Sequence, residues 1–127
     1  MSYKNLLATS GLLLALGIAF GAFGAHSLRD ILSPERMITW QTAVQYQVWN
    51  ALGLLGVVLV SKVFAIDLKL PGIFILTGLT IFSGTLYILC LTNIGILGAI
   101  TPIGGVLLTF GWGLFGFKVL KGINEPN

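Results

Sequence analysis

Charged residues cut this chain into long apolar runs. No Asp, Glu, Lys or Arg occurs from Asn5 to Leu28, from Met37 to Ser61, or from Leu70 to Phe117. A helix crossing the hydrocarbon core of a bilayer needs about 20 mostly apolar residues at roughly 1.5 Å rise each. The first two runs each fit one span. The third, 48 residues long, would be about 72 Å as a single helix, so it must fold back and supply two spans. The pattern predicts an all-α fold, a four-span transmembrane helix bundle with an apolar loop or kink before the fourth helix. Residues 1–127 form one domain, with spans at about 5–25, 42–61, 71–91 and 102–120.

Local signals refine the boundaries. Lys4 and the segment Ala22 to Ala25, rich in small residues, imitate a secretory signal, but the apolar stretch from Leu6 to Gly24 is long for one and reads as a first span. Ser33-Pro34 starts a helix, with Ser as N-cap, Pro at the first position and Glu35 near the positive end. That helix runs to about Lys62, longer than a span requires, so its first turns lie at the interface with Trp40 in an aromatic belt. The connection 63–70 carries Asp67 and Lys69. Pro71 opens the third helix, which runs to about Leu91, and Asn93 and Gly95 mark a turn. Thr101-Pro102 repeats the cap-plus-proline signal. Either helix 4 starts at Pro102 after an apolar loop over 93–100, or it starts at Ile96 and kinks at Pro102. The capping pattern favours the loop.

Composition agrees with this picture. The chain is 56% hydrophobic and 9% charged, against about 25% charged residues in soluble domains. The net charge of +3 comes from single residues at helix ends, where they meet lipid headgroups, and is no footprint for nucleic acid. Lys4, Lys62, Lys69, Lys118 and Lys121 fall on the side of both termini, Arg29 and Arg36 on the other. This bias predicts cytoplasmic termini. Cys90 is the single cysteine, which excludes an intrachain disulfide.

Little in the chain suggests chemistry. Gly111, Gly113 and Gly116 spell G-x-G-x-x-G, but inside an apolar helix rather than between a strand and a helix start. One His and one Cys make no metal site. The reading is therefore no enzyme, no catalytic residue, no metal and no cofactor. Small residues recur on helix stripes instead: Gly17, Gly21 and Gly24 on helix 1, Gly53 and Gly56 on helix 2, and Gly105, Thr109, Gly113 and Gly116 on helix 4. Such stripes let helix backbones approach, within one chain or in a homo-oligomer.

The polar residues are unevenly placed by depth. Counting from Lys62, Asn50 lies about 18 Å deep, near mid-membrane, and Gln41 lies near the outer surface. Gln41 and Gln45 share a helix face, as do Tyr46 and Asn50. His26 ends helix 1, Tyr87 lies in the outer half of helix 3, and Thr101 lies about 25 Å from Lys118. The inner half keeps small hydroxyls such as Thr9, Ser10 and Thr77, able to bond their own backbone. Two readings of the outer group stay open. It is interhelical hydrogen-bonding glue, or it is a ligand-binding vestibule of His26, Gln41, Gln45, Tyr46, Asn50, Tyr87 and Thr101, with helix N–H groups available to an anion. No carboxylate, Lys or Arg lies within a span, which argues against an ion-coupled transporter. Four short helices also leave little room for an alternating-access repeat.

Four segments, taken in order, carry a likeness: Gly21-Ala-Phe-Gly-Ala-His26, Gln45-Tyr46-Gln47, Phe82-Ser-Gly-Thr-Leu-Tyr87 and Leu97-Gly-Ala-Ile-Thr-Pro-Ile-Gly-Gly105. With them the chain resembles, over nearly its whole length, the YgdD/YwdK-like family of small uncharacterised bacterial inner-membrane proteins, which has eukaryotic relatives. The resemblance implies a multi-pass protein of the cell membrane and supplies no function. Members of that family often have His where this chain has Asn50. Asn neither titrates nor ligates metals well, so a His-pair role with His26 is weakened here. The expectation is a structural or accessory membrane protein surrounded by lipid. It can self-associate, and the alternative is a protein that binds a small ligand, lipid or solute.

Overall fold

The computed structural model describes residues 1–124, so the last three residues of the expected 1–127 domain lie outside it. Four helices follow in order: α1 Tyr3–Ser27, α2 Pro34–Phe64, α3 Lys69–Thr92 and α4 Ile96–Gly122. All four are long and apolar enough to cross a membrane. Each start and stop has a local cause. Ser2 Oγ accepts the Asn5 N–H at 3.1 Å and begins α1. Ser33 Oγ accepts the Arg36 N–H at 3.2 Å, with Pro34 in the first turn of α2. Ala65 and Asn93 take left-handed conformations and end α2 and α3, their N–H groups returning to the Ser61 and Leu89 carbonyls. The α3 start departs from the expected proline opening. The helix begins at Lys69, two residues earlier, without a side-chain cap, and Pro71 falls in its first turn.

The start of α4 corrects the reading favoured from the capping pattern. There is no loop over 93–100. Helix begins at Ile96, and Pro102 sits inside it. The first turn closes by short-range bonds, Leu97 N–H to the Ile94 carbonyl at 3.2 Å and Gly98 N–H to the Gly95 carbonyl at 3.1 Å. Pro102 removes the donor that the Gly98 carbonyl would otherwise receive. Packing on α3 holds this turn in place. The Thr101 and Thr85 hydroxyls lie 2.7 Å apart, with the Leu97 and Ile81 carbonyls within reach at 3.0 and 2.7 Å. Thr101 therefore ties α4 to α3 instead of capping a new helix.

The helices pack in chain order, α1 on α2, α2 on α3 and α3 on α4. The central pair buries more of itself: 39% of the apolar window in α2 and in α3, against 17% in α1 and α4. On α2 the buried face reads Trp40, Ala43, Gln47, Asn50, Leu54, Val57 and Ser61. This is alternating three–four spacing, the seam geometry of antiparallel bundles.

Glycines set the tightest crossing, but not the stripe expected on α4. A Cβ on Gly104 would meet the Phe82 backbone nitrogen at 2.5 Å and the Gly78 carbonyl oxygen at 2.7 Å. One on Gly78 would meet the Leu108 nitrogen at 2.7 Å. Gly111 abuts Ile75 in the same way. Gly78, Gly104 and Gly111 thus bring α3 and α4 into backbone contact. Gly17 and Gly21 face Val48 and Val44, Gly24 lies under the Trp40 indole, and Gly53 lies under Trp112. Gly56, Gly113 and Gly116 face open space, and Gly105 makes only ordinary contact with Phe82. The Gly105–Gly116 stripe therefore does not pack helices inside the chain.

Candidate functional site

The polar residues of the bundle fall into separate groups rather than one vestibule. The first joins three helices. Gln47, 4% exposed, donates from Nε2 to the Leu13 carbonyl of α1 at 2.8 Å and accepts from the Tyr87 hydroxyl of α3 at 2.6 Å. The Tyr87 ring sits edge-on to Phe20 and Trp40. Trp40 in turn donates from Nε1 to the Phe20 carbonyl at 2.9 Å. The Ser83 hydroxyl closes a further α3–α2 link to the Ala43 carbonyl at 2.8 Å.

The second group joins α2 to α4. Asn50 Nδ2 donates to the Tyr46 carbonyl one turn back at 2.9 Å, and Asn50 Oδ1 accepts the Trp112 indole N–H at 2.8 Å. The Trp112 ring lies against Gly53, where a side chain would collide with it. Trp112 thereby bridges a cleft of about 710 Å³ between α2 and α4, whose walls include Tyr46, Asn50, Phe82, Pro102, Val106, Phe110 and Trp112. Tyr46 stacks on Phe82 with ring centroids 4.3 Å apart. Val106 and Phe110 at its rim are 68% and 55% exposed, so the cleft opens sideways, toward lipid.

The remaining expected site residues lie elsewhere. Gln41 and Gln45 are exposed and line a cleft of about 170 Å³ between α1 and α2, with Gly21, Ala25 and Trp40. His26 is exposed at the end of α1 and lines none of these clefts. Thr101 is buried in its contact with Thr85. Among the described residues, every buried side-chain nitrogen and oxygen has a hydrogen-bond partner. That is the rule for polar groups shut away from water. Gln47, the most connected polar residue, was not among the expected site residues. Its signal was positional: it lies on the three–four seam of α2, whereas Gln41 and Gln45 lie off it.

Charge gathers at the end of the bundle where α1 begins and α4 ends. The Tyr3 hydroxyl donates to Asp67 Oδ1 at 2.9 Å and accepts the Leu68 N–H at 2.8 Å. Lys118 Nζ donates to the Asp67 carbonyl at 3.0 Å. The Lys69 backbone N–H first, then the Tyr3 hydroxyl and the nearby lysine charges, hold the Asp67 carboxyl below its ordinary range.

Four apolar helices without an Asp, Glu, Lys or Arg along their charge-free runs define a small polytopic membrane protein. The family described as "Protein of unknown function (DUF423)" matches residues 20–105. The chain belongs to that family, as the four motif segments implied. Among its relatives, a "UPF0382 membrane protein" of Staphylococcus epidermidis is 45% identical over 106 residues, covering 84% of this chain and 87% of the other. The "UPF0382 membrane protein YwdK" of Bacillus subtilis is 43% identical over 109 residues, with the same two coverages. No solved structure matches.

Proposed function

We propose that this protein is a small accessory protein of the bacterial cell membrane, with both termini in the cytoplasm. It acts by lateral association through α4, first with a second copy of itself, and not by catalysis or coupled transport. The supporting observation is how the two kinds of polarity and packing are divided. Deep polar side chains, including Gln47, Asn50 and Tyr87, are spent on bonds between helices. Gly113 and Gly116 present a smooth α4 surface that nothing in the chain covers. In lipid, such surfaces gain by close van der Waals packing against another helix. Cysteine crosslinking tests this, because the native Cys90 is buried. In a Cys90→Ala background, Val106→Cys or Thr109→Cys crosslinks to a second copy in membranes, and Leu12→Cys on α1 does not. Equal crosslinking at all three positions defeats the reading.

The α1–α2 cleft supports a second reading, since Gln41 and Gln45 present two amides on one face of it. A small neutral solute bound there would protect a cysteine at position 41 from labelling. Unchanged labelling across a solute panel removes this reading.

A further inference from the structure

We propose that the end of the bundle where α1 begins and α4 ends holds the phosphate of an anionic phospholipid in the pocket between Tyr3, Lys62 and Lys69. The pocket has a volume of about 370 Å³ and lies among α1, the end of α2 and the α2–α3 turn. Its walls are built rather than incidental. Ala65 turns the chain in a left-handed conformation, and the Ser61 hydroxyl clamps the turn by donating to the Ile66 carbonyl at 2.6 Å. Tyr3 is pinned at its hydroxyl by Asp67 and by the Leu68 N–H. The ammonium groups of Lys62 and Lys69 lie 4.9 and 5.4 Å from the centre of the Tyr3 ring. Both ammonium groups are thus gathered on the Tyr3 ring at the pocket. An anion held in the pocket meets both positive charges at once.

Among the described residues, the only carboxylate in the pocket wall is Asp67, and it is already committed to the Tyr3 hydroxyl and the Lys69 N–H. Lys118, on the carbonyl of the same residue, adds a further positive charge to this end. The excess is positive, which suits a phosphodiester. The surroundings favour a lipid over a free ion. Lys62 and Lys69 are the first charges beyond the apolar runs that end at Ser61 and begin at Leu70, which is headgroup level. Leu70, 50% exposed and on the membrane side of Lys69, offers an apolar wall to the upper acyl chain.

The test is native mass spectrometry on the full-length protein in detergent, titrated with phosphatidylglycerol or phosphatidylcholine of the same acyl chains. The wild type retains phosphatidylglycerol in preference. Lys62→Gln with Lys69→Gln weakens that binding about 25-fold, given about fivefold per membrane-surface lysine. It leaves phosphatidylcholine adducts unchanged, and Lys62→Arg with Lys69→Arg restores the preference. Equal binding of both lipids by the wild type overturns the proposal without any variant. So does an equal loss in Lys121→Gln, which would mean diffuse charge rather than a site. Displacement of the lipid by excess inorganic phosphate would reassign the pocket to a free anion and overturn the lipid assignment.

Discussion

Replacing Gln47 by Met keeps the length of the side chain and deletes two hydrogen bonds that cross between helices. The amide is 4% exposed and joins Leu13 on α1 to Tyr87 on α3. Interhelical hydrogen bonds in membrane proteins average roughly 0.6 kcal/mol, with a maximum near 1.7 kcal/mol. Two such bonds contribute about 1.2 kcal/mol, and stranding the Tyr87 hydroxyl among Phe20 and Trp40 adds about 1 kcal/mol. Gln47→Met therefore costs about 2 kcal/mol. Tyr87→Phe breaks one of the two bonds and leaves Gln47 Oε1 unpaired, for about 1.5 kcal/mol. The double variant loses both bonds but strands neither group, so it costs about 1 kcal/mol, and the coupling between the two sites is about 2.5 kcal/mol. The assay is reversible unfolding in mixed micelles, followed by tryptophan fluorescence, on the wild type, both single variants and the double. Single effects that add to within about 0.3 kcal/mol refute the bond.

Further outcomes follow from the same contacts. Gly104→Ala forces a Cβ into the α3 backbone at Phe82 and Gly78 and costs about 1–3 kcal/mol. Gly113→Ala meets open space and gains up to about 1 kcal/mol of helix propensity, so thermal melts in detergent must move in opposite directions. The Asp67 carboxyl is held below its ordinary value of 3.8, so its contribution is present above that value and lost as pH falls through the folded-state value. A melt that is steady at neutral pH and drops in strong acid is expected, and Asp67→Asn flattens that acid limb; an unchanged limb counts against the Tyr3–Asp67 contact. For orientation, single cysteines at exposed Ser33 and Lys121 in a Cys90→Ala background report opposite sides of the membrane. Membrane-impermeant reagent reaches position 33 from outside intact cells and spares position 121, and the reverse pattern inverts the topology.

Much of the architecture was legible because its cause is local or compositional. Charge gaps locate spans since burying an unpaired charge in hydrocarbon is expensive. The Ser33-Pro34 start and the Asn93 stop are written in side-chain and backbone chemistry that acts within one turn. The misjudged α4 start shows the limit. Thr-Pro reads the same as a helix start or as an interior position, and the contact with Thr85, 16 residues away, decides it. The glycines of α4 show a second limit. Gly104 and Gly105 are neighbours in sequence but about 100° apart around the axis, at 3.6 residues per turn. Spacing alone favours the longer stripe of Gly105, Gly113 and Gly116, while close approach to Gly78 selects Gly104 and Gly111. The candidate site was less legible. Depth placed Asn50 and Tyr87 among the polar residues, but helix rotation separates them into different groups and turns Gln41 and Gln45 away from both.

The exposed α4 stripe carries the proposed function, and counting copies in a bilayer tests it most directly. The measurement is single-molecule photobleaching of the labelled full-length chain in liposomes at dilute protein-to-lipid ratios. The wild type is expected to bleach in more than one step. The variant with Gly113→Leu and Gly116→Leu, which fills space that is empty within the chain, is expected to bleach in one step while unfolding no more easily than the wild type. Single-step bleaching of the wild type, or an unchanged step count in the variant, contradicts association through α4.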